Sequence, residues 1–149
     1  MEMQWFIKSF DNLSQLELYN ILKLRLAIFV LEQKCIYLDL DDMDQSAMHL
    51  FAMHQDQVVA YARIQINDSD KSAIIRRVVV HKDFRKMRLG TTLMLKVLAY
   101  INSLNISHIA LSAQFHLKNF YENLGFKAKG EPYHDTGILH IKMVREIKP

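Results

Sequence analysis

The sequence predicts one α+β domain with a mixed sheet and a single parallel strand–helix–strand crossover. Residues 73–80 include two isoleucines and three consecutive valines, a run typical of a strand buried on both faces. Residues 91–104 then carry apolar side chains at helical spacing, and residues 106–111 form a second strand-like run. Because a strand, a helix and a strand in this order make a crossover unit, the two strands are expected to be parallel, with the first in the centre of the sheet.

The N-terminal third of the chain is predicted to be a strand, a helix and an acidic loop. Residues 3–10 are the first strand. Ser14 and Glu17 have the spacing of a capping box, which places the start of an apolar-rich helix that continues to about Gln33. Residues 35–46 contain four aspartates and are predicted to be a loop.

Turn residues and short apolar runs define the remaining elements. Residues 47–54 and 58–66 are β-rich and flank a short polar connection, which indicates a hairpin although the turn has no Gly or Asn. Gly125 is placed to end a short helix over residues 116–124. Two closing strands are predicted at residues 126–133 and 137–145.

Length and composition favour one folded domain over residues 1–149 and exclude several other classes. Hydrophobic residues make up 50% of the chain and charged residues 23%, so a disordered chain is not expected. The single cysteine, Cys35, excludes a disulfide framework. The first residues lack the apolar core of a secretory signal, and the apolar run at residues 26–31 is far shorter than the roughly 20 residues of a membrane span. We therefore expect a cytoplasmic protein with no membrane partner.

Charge is unevenly distributed, although the formal net charge is only +3. Residues 76–90 carry six Lys and Arg against one Asp, and residues 32–56 carry six Asp and Glu against one Lys. One interpretation is one site for an anion and another for a cation, and the alternative is two solvated loops. A calcium loop is disfavoured because Met43 occupies a position where such a loop needs Asp or Asn.

The basic stretch contains a turn between the predicted central strand and the helix after it, with Arg85, Lys86, Arg88 and Gly90. A helix N-terminus presents unpaired N–H groups and partial positive charge, so it attracts phosphate. Gly90 lets the backbone approach a ligand, and the three cations add charge-assisted contacts. Because the glycine patterns of a P-loop and of a dinucleotide-binding turn are both absent, this turn is predicted to be a different kind of pyrophosphate site.

Together with segments elsewhere, this turn resembles the signature of the GNAT N-acetyltransferases, and the chain is most similar to their ElaA-like branch. The matching positions are Val78, Val80, Arg85, Arg88 and Gly90 at the turn, residues 113–126, the run Arg25, Phe29, Glu32, Gln33, Tyr37, Asp41, Asp44 and His49, and residues 137–140. Arg88 departs from the pattern by standing where most of the family has Gly. Thr136 and Leu139 replace an Asp and a Pro.

The resemblance implies a GNAT-like, mostly antiparallel sheet whose central parallel pair splays apart to admit acetyl-CoA as cosubstrate, with no metal. The pantetheine arm would pair with the backbone of Val78, Val79 and Val80 and bind Asn119. The pyrophosphate would lie on Arg85, Lys86, Met87, Arg88, Leu89, Gly90 and Thr91. The acceptor, a small-molecule or peptide amine, would contact Arg25, Asp41, Asp44 and Gln114. The oligomeric state is left open, with a dimer as one option.

The chemistry that the resemblance implies needs a base and a hydrogen-bond donor. Deprotonating a lysine-like amine at pH 7 costs about 4.6 kcal/mol, so a base helps. Glu32 and His140 are both candidates, and their structural alternatives are a salt-bridged helix end and a hydrogen-bonded core histidine. Tyr121 matches the family's general acid and is expected to donate at least a hydrogen bond to the leaving sulfur, with core packing as its alternative. Cys35 is expected to be structural.

Three other functions are weighed against N-acetyl transfer. The first is a coenzyme-A-binding sensor without catalysis. The second is a basic nucleic-acid-binding module, which is disfavoured because only Phe84 is available for stacking and the acidic stretch would repel a polyanion. The third is an acyl-homoserine-lactone synthase, a branch that takes its acyl group from a carrier protein and so has no need of the basic turn.

Overall fold

The computed structural model describes residues 2–147 and contains an eight-stranded mixed sheet. The strands are β1 (Gln4–Ser9), β2 (Met48–His54), β3 (Gln57–Asn67), β4 (Ser72–Val80), β5 (His108–Gln114), β6 (Lys127–Ala128), β7 (Tyr133–Asp135) and β8 (Ile138–Glu146). Their order is β1-β2-β3-β4-β5-β8-β6, with β7 paired to β8. The β4–β5 pair is parallel and the other pairs are antiparallel, which confirms the predicted α+β fold with a central crossover.

The helices are α1 (Gln15–Arg25), α2 (Leu89–Ser103) and α3 (Lys118–Glu122). The predicted capping box is present, because Ser14 accepts a hydrogen bond from the Glu17 N–H and the Glu17 side chain accepts one from the Ser14 N–H. Past α1, the segment Leu26–Glu32 continues as a π-helix. The predicted helix to about Gln33 therefore has the expected extent but changes its winding. No helix within residues 2–147 is long and apolar enough to cross a bilayer.

Two connections differ from what their residue types predict. The β2–β3 hairpin turns on two residues, Gln55 and Asp56, whose φ angles of 48° and 64° are those of a type I′ turn even though neither is Gly or Asn. The predicted strand 126–133 is wrong as a single element. It consists of the short β6 and β7, because Gly130, with φ 84°, and Pro132 interrupt it.

The sheet is covered on its two faces by different helices. On one face, Leu93, Met94, Val97 and Ile101 of α2 are buried over alanines of β2 and β3. On the other face, Ile21 and Leu24 of α1 and Ile28 of the π-helical segment pack on Phe51, Tyr61 and Val79. This α1 face continues onto β5 and β8, where Ser112 and Lys142 are exposed. The uncovered part of the face lies beside the end of β4, where the candidate site is found.

Candidate functional site

A cleft opens where the two parallel strands at the centre of the sheet separate. The β4–β5 ladder runs only from Ser72↔His108 to Ile75↔Leu111, although β4 continues to Val80 and β5 to Gln114. The last five residues of β4 therefore have backbone groups on the β5 side without a partner from that strand. Such an edge can pair with an extended ligand, so this is the splayed arrangement that the family resemblance implies.

A β-bulge in β4 accounts for the separation. In the β3–β4 pairing, Tyr61 lies opposite Val79 and Arg63 opposite Arg76, so two residues of β4 oppose one of β3. The bulged residue Arg77 has φ 58°, a left-handed conformation that is unfavourable for a residue with a side chain. A bulge bends its strand and increases the local twist, which turns the end of β4 away from β5.

The Arg77 side chain is fixed to the acidic loop. Its Nη2 donates to the Asp39 carbonyl at 3.0 Å and lies 3.3 Å from Asp41 Oδ2, and its Nε is 2.8 Å from Asp39 Oδ1. Because the Nε–H does not point at that oxygen, the contact is an ion pair without a hydrogen bond. Asp39 and Asp41, which precede Arg77 by almost 40 positions in the sequence, thus hold the conformation of the bulge.

Two further arginines complete a buried network with the same loop. Arg25 contacts Asp39 Oδ2 at 2.8 Å and Asp44 Oδ1 at 2.7 Å. Arg63 contacts Asp41 Oδ2 at 2.7 Å and Asp44 Oδ1 at 2.9 Å. Counted with Arg77, three guanidinium groups neutralise three carboxylates. Arg25 is 0% exposed and Arg63 1%, which requires this pairing because an isolated charge would not be buried.

The arginines also hold these carboxylates in their charged form. Partial burial raises the pKa of Asp41, but hydrogen bonds from Arg63 and from the Met43 N–H outweigh it and lower the pKa to about 2. Asp44 likewise has a lowered pKa, because the hydrogen bonds from Arg25 and Arg63 overcome its desolvation. The interpretation of this stretch as a solvated loop is therefore wrong for its paired aspartates.

The basic turn lies at the open end of the cleft. A 3-10 helix, Lys82–Met87, follows β4, and Arg88, with φ 54°, leads into α2 at Leu89. The side chains of Lys86 and Arg88 are exposed, whereas Leu89 is buried. The predicted start of the helix at Thr91 is two residues late, so Gly90 is in the first turn of α2 rather than in the loop.

Gly90 brings three elements together. A Cβ on this residue would lie 3.8 Å from the Phe120 ring of α3 and 3.9 Å from Val80 at the end of β4. The first N–H groups of α2 consequently lie beside the end of the β4 edge. A phosphate at the helix N-terminus and an extended chain along β4 could thus belong to one ligand.

Two residues predicted for different roles, Glu32 and Arg85, contact each other. Arg85 Nη2 is 2.6 Å from Glu32 Oε2 and Nη1 is 3.1 Å from Oε1, while Nε donates to the Val80 carbonyl at 3.2 Å. The candidate base at the end of the π-helical segment and the first cation of the turn are therefore paired across the cleft entrance. Both side chains are partly exposed.

Tyr121 of α3 is packed as a core residue with a free hydroxyl. Its ring is 5% exposed and meets Phe120 and Phe126 edge-on at centroid distances of 5.0 and 5.9 Å. Burial raises its pKa to about 12. Within residues 2–147 the hydroxyl has no hydrogen-bond partner. Asn119 is exposed on the same short helix.

His140 lies in a row of facing residues across three strands. Tyr133 of β7 pairs with His140 of β8, which pairs with Gln114 at the end of β5. His140 Nδ1 is 2.7 Å from the Ile138 carbonyl, so a neutral ring donates from Nδ1 and leaves Nε2 as an acceptor. The Tyr133 ring stacks on the imidazole, and its hydroxyl is hydrogen-bonded to Ser112. Sequence reasoning missed Tyr133 and Ser112.

The loop after the π-helical segment reaches the turn between β7 and β8. The Cys35 thiol lies 3.3 Å from the Thr136 carbonyl and 3.5 Å from the Gln33 carbonyl, as expected for a structural cysteine. This contact brings the acidic loop and the β7–β8 turn together beside the cleft. Among the described residues, no group of three or more His, Cys, Asp or Glu side chains is arranged to hold a metal ion.

Comparisons with known proteins agree with this geometry. The family model described as an acetyltransferase (GNAT) domain matches residues 28–147. Protein ElaA of Escherichia coli is 38% identical over 97% of both chains, and its crystal structure superposes with a TM-score of 0.91 over 97% of this chain and 100% of that one. An acyl-CoA N-acyltransferase from Pseudomonas aeruginosa is 36% identical with a TM-score of 0.92, over 97% of this chain and 99% of that one.

A more distant structure shares the fold alone. An aminoglycoside 6′-N-acetyltransferase complexed with coenzyme A has 19% identity and a TM-score of 0.72, over 97% of this chain and 98% of that one.

Proposed function

Because the chain belongs to the GNAT acetyltransferase family, which makes it an acyltransferase, we propose that it is an acetyl-CoA-dependent N-acetyltransferase. The acetyl group would pass to a primary amine of a small molecule or peptide by direct attack in a ternary complex. One observation carries the proposal: the unpaired β4 edge ends beside the N-terminus of α2, so a site for an extended chain runs into a site for phosphate.

The residues present fit coenzyme A. Val78, Val79 and Val80 have no partner on β5, and the pantetheine amides would pair along this edge of β4. The Val80 carbonyl already accepts a hydrogen bond from Arg85 Nε, which the ligand would have to share or replace. Asn119 is exposed on α3. A β4 N–H directed at a thioester carbonyl would stabilise negative charge on that oxygen.

The pyrophosphate would lie on the turn formed by residues 85–91. There the α2 N–H groups and the exposed cations Lys86 and Arg88 supply donors. Gly90 leaves the approach to those N–H groups free of a Cβ. Arg88 takes a left-handed conformation, φ 54°, at the position where most of the family has Gly, so the departure in sequence keeps a backbone geometry that Gly adopts readily.

Bound acetyl-CoA supplies an acetyl thioester as the electrophile, and the protein must manage two protons. The attacking amine has to lose one, and Glu32 and His140 are the two bases proposed for it. His140 has its Nδ1–H engaged with the Ile138 carbonyl, so its Nε2 is free to accept. Glu32 has both oxygens on Arg85, and it can serve once that guanidinium contacts a phosphate instead.

Tyr121 is proposed as a hydrogen-bond donor to the departing sulfur. Its pKa of about 12 keeps the hydroxyl protonated throughout the neutral range. Full proton transfer to a thiolate with a pKa of about 8.5 would be uphill by about 5 kcal/mol. A hydrogen bond that stabilises the thiolate until solvent protonates it is therefore the role that the burial of Tyr121 supports.

A thermal-shift titration with acetyl-CoA tests the proposal, with adenosine diphosphate and a DNA duplex as controls. A specific ligand at about 100 times its dissociation constant adds about 2.7 kcal/mol, which at this size raises Tm by about 5–11 °C. We expect that shift with acetyl-CoA, and release of free thiol when an acceptor amine is added. A shift without thiol release from any amine would indicate a coenzyme-A-binding sensor, and a shift with DNA alone would overturn the assignment.

A further inference from the structure

The carboxylates once expected to attract a cationic acceptor are already occupied. Asp39, Asp41 and Asp44 are neutralised within the chain by three arginines. Asp42 is exposed, but its backbone turns away from the network with φ 63° and it has no ion pair within residues 2–147. The acidic loop thus contributes little net negative charge to the cleft, and the charges facing the acceptor must be sought on the sheet itself.

The first residues beyond the last β4–β5 rung form a basic row. Ile75↔Leu111 is that rung, so Arg76 and Ser112 are the next residues on the two strands, and Ser112 pairs with Lys142 on β8. The row Arg76, Ser112 and Lys142 therefore crosses three strands at the point where the cleft begins. Arg76 and Lys142 are two strand spacings apart, at least about 10 Å between backbones, so their long side chains would reach one small anion by converging over Ser112.

All three side chains are on the uncovered α1 face. Their neighbours in sequence, Ile75, Leu111, Ala113, Ile141 and Met143, are buried in the core under α2. Because side chains alternate between faces along a strand, the residues of the basic row lie on the opposite side. Arg76, Ser112 and Lys142 are each exposed there. Arg76 also pairs with Arg63 of β3, whose side chain enters the network on that same face.

The two cations have no anionic partner in the part of the chain that the structure describes. Glu146, the carboxylate at the other end of β8, contacts His108 at 3.5 Å. Asp135 is at the turn end of β7, opposite Ile138. The Ser112 hydroxyl, which lies between the cations, is hydrogen-bonded to Tyr133. The floor of the cleft is therefore positively charged and provides hydroxyl groups beside the charges.

We infer that the acceptor carries an anionic oxygen group in addition to its amine, and that Arg76 and Lys142 bind this group across Ser112. The inference rests on the proposed function and names the substrate class of the same site. Two cations and a hydroxyl give a carboxylate or phosphate charge-assisted hydrogen bonds. An acceptor with a second positive charge would meet like charges at the same place, which disfavours diamines.

The inference is tested with four small amines that differ in the charge of their second group. Each is assayed at saturating acetyl-CoA, and the release of free thiol is measured. Glycine supplies a carboxylate, O-phosphoethanolamine a phosphate, ethanolamine a neutral group and ethylenediamine a second cation. We expect kcat/KM for glycine or O-phosphoethanolamine to exceed that for the other two by at least tenfold, and the better of the pair identifies the anion. Equal turnover of ethanolamine or ethylenediamine would overturn the inference while leaving the acetyltransferase proposal intact.

Variants locate the anion site. Arg76→Gln and Lys142→Gln are each expected to raise KM for the anionic acceptor at least fivefold, with kcat changed less than twofold. Lys142→Glu should move the preference towards ethylenediamine. Lys23→Gln, on the exposed side of α1, is the matched control. An unchanged KM in both Gln variants, with Tm also unchanged, would refute the assignment of these residues.

A binding measurement keeps the inference testable if no amine is acetylated. With coenzyme A present, the anionic amine should add to the thermal shift, and the Arg76→Gln, Lys142→Gln double variant should lose that addition while it retains the shift from coenzyme A. No added shift with either anionic amine would refute the inference. If coenzyme A does not raise the Tm of the unaltered protein, the proposed function is refuted instead.

Discussion

Arg85 holds the Glu32 carboxylate in a two-point ion pair, with Nη2 2.6 Å from Oε2 and Nη1 3.1 Å from Oε1. The pair joins the end of the π-helical segment to the turn proposed for the pyrophosphate. A phosphate that binds Arg85 competes with Glu32 for the same N–H groups. Cofactor binding would therefore release the carboxylate proposed as a base, so the protein is expected to favour binding of acetyl-CoA before the acceptor.

Glu32→Gln should strengthen acetyl-CoA binding and weaken catalysis. An exposed ion pair contributes about 0.2–1 kcal/mol, so removing the competing charge should lower Kd by about 1.4- to 5-fold. If Glu32 is the base, kcat should fall at least tenfold in the same variant. Calorimetric titration measures the first effect and thiol release the second. Asp68→Asn in the exposed β3–β4 turn is the control, and weaker acetyl-CoA binding by Glu32→Gln would contradict the competition.

Gly90→Ala should separate stability from cofactor binding. The added Cβ meets Phe120 and Val80 at ordinary contact distances, and Ala is a better helix former than Gly, although in this first turn the gain is smaller than the roughly 0.8–1.0 kcal/mol of a helix interior. Urea unfolding should thus show equal or higher stability. Acetyl-CoA affinity should fall at least tenfold because the methyl group narrows the approach to the α2 N–H groups. An unchanged affinity for acetyl-CoA would show that its phosphates do not bind at this turn. Thr92→Ala, in the same part of the helix, is the matched control.

Tyr121→Phe should lower the rate with almost no loss of stability. The hydroxyl has no partner within residues 2–147, so its removal leaves no buried group unsatisfied. We expect a fall in kcat of about 10- to 100-fold and a change in Tm of less than 2 °C. Because the pKa of Tyr121 is about 12, ionisation of this residue should not lower the activity below pH 10. A kcat equal to that of the unaltered enzyme would leave Tyr121 with a packing role alone.

Local sequence signals predicted the parts of the fold that depend on near neighbours. Ser14 and Glu17 form the predicted capping box. Gly125, with φ 92°, ends α3 as predicted, with the Phe126 N–H bonded to the Tyr121 carbonyl at 3.1 Å. The valines of β4 indicated a central strand. These features depend on residues within about five positions of each other, so a single sequence contains the information.

The contacts that shape the site join residues far apart in sequence. Glu32 and Arg85 are 53 positions apart, and Arg77 and the Asp39 carbonyl are 38 apart. A charge pattern alone does not show which residues pair with each other. The acidic stretch therefore suggested an open cation site, whereas its aspartates are neutralised by arginines of the same chain and support the bulge. The bulge was also hidden, because Arg77 adopts a positive φ that its residue type disfavours. The one available signal was the pair of arginines inside an otherwise apolar strand.

The bulge predicts an inverted order of stability for two substitutions at Arg77. Arg77→Gly and Arg77→Ala both remove the guanidinium that contacts Asp39 and Asp41. In an ordinary strand Ala is more stable than Gly by roughly 0.5–1 kcal/mol. At φ 58° the left-handed backbone costs Ala about 1–2 kcal/mol, so the Gly variant should unfold at higher urea. A more stable Ala variant would show that the bulge is absent in solution. Both variants should also bind acetyl-CoA more weakly, because the contacts that hold the bulge beside the cleft are lost, and Arg77→Lys, which keeps the charge, should bind it less weakly than either.

Stability should decline with acidity in two separate pH ranges. Burial lowers the pKa of His49, which lies between the Tyr61 hydroxyl at 2.6 Å and the Asp44 carbonyl at 2.9 Å. The unfolded chain then binds a proton more readily than the folded one, so the free energy of unfolding should fall as the pH drops below about 6.5. Asp41, with its pKa lowered to about 2, contributes stability above pH 4 that is lost as the pH falls towards 2.

Two variants assign these ranges. His49→Gln should flatten the stability curve between pH 5 and 7 and leave the acid branch in place. Asp41→Asn should instead remove about 1–2 kcal/mol of the dependence between pH 4 and 2, because the carboxylate that Arg63 holds ionised is gone. Urea unfolding followed at half-unit pH intervals measures both. Since the network neutralises itself, Asp41→Asn also leaves a guanidinium underpaired, so its stability at pH 7 should be lower throughout. A curve that Asp41→Asn shifts without changing its shape would mean that the Arg63–Asp41 contact does not hold the carboxyl in its charged form.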